Sequence, residues 1–252
     1  MASVTAKKLY QEINGVAVDI PASSTHEAIV AFPPGPYTVM KVLTREKDRV
    51  FRLSQHISRI YEGARGLLDI NELPSDSPLA SPLLMNRYMR EAIRKAIQTF
   101  RSQHAYSGDL RVLFLLSPSA APSYAPPPHN MPESLATVIH VMPMPHPAQS
   151  AKAVAVGGHR EHAEIKDSAW AKIGDELLAL RENGEDEAVL VHNGHCLEGV
   201  SSNFFAIMAD GTVQTAGEGV LPGTLRELVF AACAQENIKI VEEAPLLASV
   251  ET

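Results

Sequence analysis

LEGVSSNFFAIMADGTVQTAGEGVLPGTLRE, Leu197 to Glu227, decides how the chain is read. Just upstream, Ala188 to Asn193 is a short apolar run closed by Asn193-Gly194, a hairpin pair, and His195 to Glu198 returns. Asn203 to Met208 meets Asp210-Gly211 and returns through Thr212 to Thr215, so two hairpins precede a loop from Ala216 to Gly223. Thr224 followed three residues later by Glu227 is the capping-box pattern of a helix start, and Leu225, Leu228, Val229 and Ala232 recur at helical spacing behind it. A helix N-terminus preceded by Gly223 offers backbone N–H groups and partial positive charge, and phosphate is the anion such a site takes best.

Composition narrows the partners. At 252 residues, 45% hydrophobic and 20% charged, the chain can bury one large core or two modest ones. A net charge of -7, with no basic cluster along the sequence, argues against nucleic acid. Two cysteines, Cys196 and Cys233, give neither a disulfide framework nor metal spacing, which suits a reducing compartment. No apolar run is long enough to span a membrane, and the first twenty residues have neither a signal core nor transit-peptide character. The cytoplasm is the expected location, with a processed organellar precursor as the other reading. His159 with His162, and His192 with His195, lack an acidic or Cys partner at ligand spacing, so no metal is expected.

Outward from the decisive stretch, Tyr10 to Ile20 reads as a hairpin about Asn14-Gly15, and Tyr37 to Leu43 with Arg49 to Leu53 as another. Ser54 is placed to cap a helix carrying Ile57, Ile60, Tyr61, Ala64, Leu67 and Leu68; a second helix is predicted over roughly Leu83 to Arg101. Leu110 to Leu116 is a continuous apolar strand and Thr137 to Met142 another, separated by a proline-rich loop that contains Pro126-Pro127-Pro128. Pro143, Pro145 and Pro147 read as an extended linker. The expected organisation is a small domain over residues 1–142, a linker over 143–150 and a second domain over 151–252, opening with a strand at Val154 to Val156. Trp170, Ile173, Leu177 and Leu180 define a helix ending near Asn183-Gly184.

Glu198-Gly199, Ser202-Asn203-Phe204-Phe205 and Leu221-Pro222-Gly223-Thr224-Leu225-Arg226, taken in that order, resemble the signature of the class IV aminotransferases, the fold-type IV pyridoxal-phosphate enzymes. The resemblance implies an α+β small N-terminal domain followed by a larger α/β pyridoxal-phosphate domain of the D-amino-acid aminotransferase type. It implies pyridoxal 5'-phosphate as cofactor, an amino acid and a 2-oxo acid as substrates, and a homodimer. Lys166, behind Arg160 and between a strand and a helix, matches the lysine that forms the Schiff base with the cofactor. On residue type alone a lysine is a solvated surface charge, and the match reverses that for Lys166 only, Lys172 falling inside the following helix. Glu198 matches the carboxylate that holds the pyridine nitrogen protonated. Ser202 and Asn203 are expected to shape the turn that presents it, with Arg160 orienting Glu198. Arg59, in His56-Ile57-Ser58-Arg59, resembles the arginine that contacts the cofactor phosphate, beside Gly223 and Thr224 as N–H donors and Leu221 as a further contact; Arg52 and Arg65 are its control positions. Tyr37 matches the aromatic residue that lines the substrate pocket.

Two departures qualify the resemblance. D-amino-acid aminotransferases carry an Arg-x-His pair after the strand equivalent to Leu110–Leu116, where this chain has Ser117-Pro118-Ser119. Family members also continue past the point where this sequence stops, so the C-terminal part of the cofactor domain is expected to be missing. An aminodeoxychorismate lyase-like enzyme with the same apparatus, and a catalytically silent module kept for dimerisation or regulation, stay open beside the aminotransferase.

Overall fold

The computed structural model of the chain describes residues 8–68, 73–118, 130–146, 149–182 and 184–250. Pro126–Pro128, Ser119, Pro147 and Asn183, on which expectations were placed, lie outside them. The chain divides into two compact units, Met1–His146 with Lys166–Ala171, and Pro147–Ile165 with Lys172–Thr252. No helix among the described residues is long and apolar enough to cross a membrane.

The first unit is built on an antiparallel sheet. β1 (Tyr10–Ile13) and β2 (Val16–Ala17) form the opening hairpin, with Asn14 and Gly15 at φ 52° and 79°, as a two-residue turn of this hand requires. α1 (Thr25–Val30) follows, capped by the Ser24 hydroxyl, which accepts from the Glu27 N–H. Then come β3 (Tyr37–Leu43), β4 (Arg49–Val50), α2 (Leu53–Leu67), α3 (Pro82–Gln103), β5 (Leu110–Pro118) and β6 (Leu135–Pro143). The strand order is β2-β1-β6-β5-β3-β4.

β5 explains its own unbroken apolar run. Its even-numbered residues Leu110, Val112, Phe114 and Leu116 pack with Ile57 and Ile60 of α2 and Ile93 and Phe100 of α3, while Leu113 and Leu115 pack with Ala28 and Ile29 of α1. A strand covered on both faces has no reason to alternate with polar residues.

Two local expectations change here. The strand after the second turn is only Arg49–Val50, because Arg52 adopts a left-handed conformation (φ 51°) and the helix starts at once with Leu53. Ser54 is therefore inside α2 rather than its cap, and its hydroxyl accepts from the Gln55 side-chain amide at 3.1 Å instead. α3 does have a cap, Ser81, followed by Pro82 at the first helical position.

In the second unit β7 (Ala153–Gly157) lies parallel to β8 (Glu187–His192), which pairs antiparallel with β9 (His195–Gly199). α4 (Ala169–Leu178) falls in the connection between β7 and β8, and its first three residues group with the first unit. It ends at Leu178, so Leu180 is exposed beyond it rather than on its apolar face. β10 (Ala206–Ile207), β11 (Val213–Gln214) and β12 (Ile240–Val241) form a second small sheet, with α5 (Arg226–Gln235) before β12.

The expected strand Asn203–Met208 shrinks to two residues because its first half is committed elsewhere: the Phe204 carbonyl accepts from the Thr215 hydroxyl at 2.6 Å. The Thr224–Glu227 capping box does not form. Leu225, in an αR conformation, occupies the cap position without a side-chain bond, and Thr224 and Leu225 make a turn ahead of a helix that starts at Arg226. What anchors that helix start is the buried Arg226 guanidinium, described below.

Phe100 is fully buried and stands edge-on to Tyr106 at 6.3 Å. Phe100→Ala should lower the stability of the first unit by about 3–5 kcal/mol, read as a lower urea midpoint; a loss under about 1 kcal/mol would mean the cluster is not the unit's core.

Candidate active site

The sequence-predicted residues gather into two sets. In the second unit Glu198, on β9, is buried, and its Oε2 accepts the Leu221 backbone N–H at 2.9 Å. The Asn203 side chain donates to the Leu221 carbonyl at 2.7 Å. Both backbone groups of Leu221 are thereby held by the Glu-Gly and Ser-Asn parts of the signature, which fixes the loop from Ala216 to Gly223 onto the strand that carries the carboxylate. Gly223 has no room for a side chain, since a Cβ there would stand 2.0 Å from Asn203 Oδ1. Its N–H is turned to the Leu221 carbonyl at 2.8 Å and is spent within the loop. The expectation that Gly223 offers that N–H to an anion is therefore corrected in this conformation. Thr224 is half-buried in the turn that follows.

Arg160, immediately beyond β7, is buried beside Glu198. Its Nη1 lies 4.0 Å from Glu198 Oε1, and its Nη2 donates to the Ile165 carbonyl at 2.7 Å. Ile165 is the residue before Lys166, so one guanidinium reaches both the carboxylate and the peptide group that leads into the lysine.

Glu187, which sequence reasoning passed over, organises the turn after β9. Its Oε2 accepts from the hydroxyls of Ser201 (2.6 Å) and Ser202 (3.0 Å), and a Cβ on Gly199 would collide with Ser202 Oγ at 2.3 Å. Ser202 thus acts on the turn through Glu187. The signal was an acid at the head of an otherwise apolar strand. Arg226 was also missed as a working residue. It donates to Thr215 Oγ1 (2.9 Å) and the Ala216 carbonyl (2.7 Å), and lies 4.6 Å from the Phe230 ring centroid. A cation at a helix N-terminus opposes the helix dipole, and that mismatch was the available clue.

The other set lies in the first unit. The segment around Lys166 is stitched to the start of β3: Tyr37 N–H donates to the Lys166 carbonyl at 3.0 Å, Ser168 N–H to the Gly35 carbonyl at 3.0 Å, and Gly35 N–H to Ser168 Oγ at 2.9 Å. Gly35 is obligatory there, because a Cβ would lie 2.1 Å from the Leu116 carbonyl oxygen. Lys166 Nζ sits 4.8 Å from the centre of the Tyr37 ring, so these two predicted residues meet. His56, one helical turn before Arg59 on α2, is buried with its Nδ1 2.6 Å from the Thr38 hydroxyl. Burial, then the charges of Arg59, Lys166 and Arg52, push the His56 imidazole down to about 4 from its ordinary 6.5. His56 is therefore neutral at pH 7, with Arg59, Lys166 and Arg52 as the positive charges that act on it.

The sequence pattern of "Amino-transferase class IV" matches residues 35–250, which include every residue just described. The chain belongs to the class IV aminotransferases. Solved structures share its mixed α/β fold. The fold IV transaminase CpuTA1 from Curtobacterium pusillum superposes with a TM-score of 0.68 at 19% identity, over 96% of this chain and 84% of that one. The branched-chain amino acid aminotransferase from Escherichia coli gives 0.66 at 18% identity, over 94% and 77%. A hypothetical aminotransferase from Mycobacterium tuberculosis, in a PLP-bound form, gives 0.66 at 16%, over 95% and 83%. No curated protein matches this class IV chain in sequence.

Two outcomes follow. Gly223→Ala in this aminotransferase should displace the Asn203 amide from Leu221 and cost about 1–3 kcal/mol in the second unit; unchanged stability in denaturant would show that the contact yields freely. The second outcome concerns pH. The folded protein resists protonating His56 until about pH 4, whereas the unfolded chain takes the proton near 6.5, so the stabilisation is complete above 6.5 and lost as pH falls towards 4. The loss attributable to His56 is about 3 kcal/mol by pH 4, and the slope between pH 6.5 and 4 in urea midpoints should flatten in His56→Gln.

Proposed function

We propose that this chain is a pyridoxal-phosphate-dependent aminotransferase in which Lys166 and Glu198 serve the same cofactor molecule, with an amino acid and a 2-oxo acid as substrates. The observation that carries the reading is the buried carboxylate of Glu198, held in orientation by the Leu221 N–H at 2.9 Å and flanked by a guanidinium that also grips the carbonyl leading into Lys166. An oriented, water-shielded carboxylate is the group needed to keep a ring nitrogen protonated. The donor set fits pyridoxal phosphate: an amine for its aldehyde in Lys166, that carboxylate for its ring nitrogen, and Arg59 for its phosphate, with Thr224 and Leu221 as further contacts.

When bound, pyridoxal phosphate supplies an electron-withdrawing ring that stabilises negative charge at the substrate Cα. The protein's own part is positional and acid–base. Lys166 Nζ would hold the cofactor and then take and return the proton at the substrate Cα, for which its amine must be partly deprotonated. Glu198 would keep the ring nitrogen protonated. Arg160 keeps Glu198 from rotating and Asn203 fixes the loop. Tyr37, beside Lys166 Nζ, bounds the substrate pocket. The substrate class follows what related structures hold, norvaline in the branched-chain aminotransferase of Thermoproteus uzoniensis, and alpha-ketoglutarate with PMP in the Mycobacterium tuberculosis protein. Homodimerisation belongs to this reading and is checked by light scattering.

Borohydride added in the presence of pyridoxal phosphate should fix the cofactor's mass to the peptide that carries Lys166, and Lys166→Ala should abolish the label. The same substitution should lower exchange between amino and 2-oxo acids by about a hundredfold or more. Labelling at another lysine, or none on folded protein, would overturn the assignment. Pyruvate released from aminodeoxychorismate without amino transfer would replace the aminotransferase by the lyase.

A further inference from the structure

The sequence shows no basic cluster, yet the fold builds one in the first unit. Lys47, Arg49 and Arg52, between the end of β3 and the start of α2, line the same groove as Arg87, Arg90 and Arg94 of α3. Its volume is about 900 Å³, within the range of small-molecule sites. The three α3 arginines fall at intervals of three and four, which puts them on one helix face over about 10 Å. Val50, Leu53, Ile93 and Ile97 supply an apolar lining.

The acids lining the groove among the described residues do not cancel this charge. Asp48 is engaged by Arg101, 2.7 Å away, which also donates to Thr44 Oγ1 and the Gly108 carbonyl and so pins the turn. Glu46 pairs with Arg49. Among the described residues that leaves Lys47 and the three α3 arginines, Arg90 also bonding Asn86 Oδ1 at 2.7 Å, against the carboxylate of Glu91. The lip is also strained: Lys47 and Arg52 lie at φ 57° and 51°, a region Asn and Asp tolerate and long side chains rarely enter. None of the residues assigned to pyridoxal phosphate lines the groove.

We propose that this groove is a second site, which binds a phosphate-rich small molecule with a flat apolar body, of the chemistry of a nucleoside triphosphate. Phosphates pair with the arginines, whose forked guanidinium groups match them bidentately, and the apolar body rests on the Val50 and Leu53 side. A polymer such as nucleic acid is disfavoured by the chain's net charge of -7.

The test is calorimetric titration of the pyridoxal-phosphate-saturated protein, freed of excess cofactor, with ATP and with inorganic triphosphate. ATP should bind saturably and more weakly as salt rises. An Arg87→Gln, Arg94→Gln double variant, which alters exposed side chains only, should lose roughly tenfold or more in affinity. Arg65→Gln, exposed on α2 outside the groove, should change it by less than about twofold. Unfolding midpoints check that each variant is folded. Absence of saturable binding at low salt, or equal affinity in the double variant and wild type, would overturn the site. Triphosphate binding as tightly as ATP would overturn the role given to the apolar lining, and preference for polyglutamate over both would replace the small molecule by an acidic protein segment.

Discussion

The backbone of Leu221 is gripped from both sides, its N–H by Glu198 and its carbonyl by Asn203, and the loop from Ala216 to Gly223 is held to β9 by that grip. Without it the loop from Ala216 to Gly223 would lose its tie to β9, and a buried carboxylate would lose the donor that sets its direction. Burying a charge is costly unless hydrogen bonds and an opposite charge accompany it. Glu198 has both, from a backbone N–H and from Arg160, and the geometry leaves its Oε1 edge beside a guanidinium and not inside an apolar wall.

Arg160 extends the same logic to the lysine. A guanidinium has donors enough to serve two acceptors in fixed directions, and here they are a carboxylate and the carbonyl of Ile165. From Lys166 onward the chain is zipped to Gly35 and Tyr37 by three backbone and side-chain bonds. The lysine's backbone is thus fixed on both sides by short contacts, a placement that suits the nucleophile proposed for it.

Much of this was legible in the sequence, for reasons that differ by residue. Hairpins announced by Asn14-Gly15 and Asn193-Gly194 form because those pairs take the left-handed turn that the strands' twist demands. β5 was legible because a strand buried on both faces has to be apolar throughout. Ser54 and Thr224 misled because a cap requires extended backbone at that residue, and tertiary contacts decided the backbone first: Arg52 turned left-handed, and Arg226 locked onto Thr215 and Ala216. Glu187 and the basic groove were invisible because each is a meeting of distant segments, residues 187 with 201–202 and 47–52 with 87–94. Local patterning carries no record of such meetings.

That Lys166 and Glu198 act on one cofactor molecule is tested most directly by nitrogen-15 NMR of pyridoxal phosphate labelled in the ring and bound to wild type and to Glu198→Gln. The account predicts a protonated ring nitrogen at neutral pH in the wild type and a large downfield shift, marking loss of that proton, in the variant, with borohydride still fixing the label to Lys166 in both. An identical nitrogen resonance in the two proteins would contradict it.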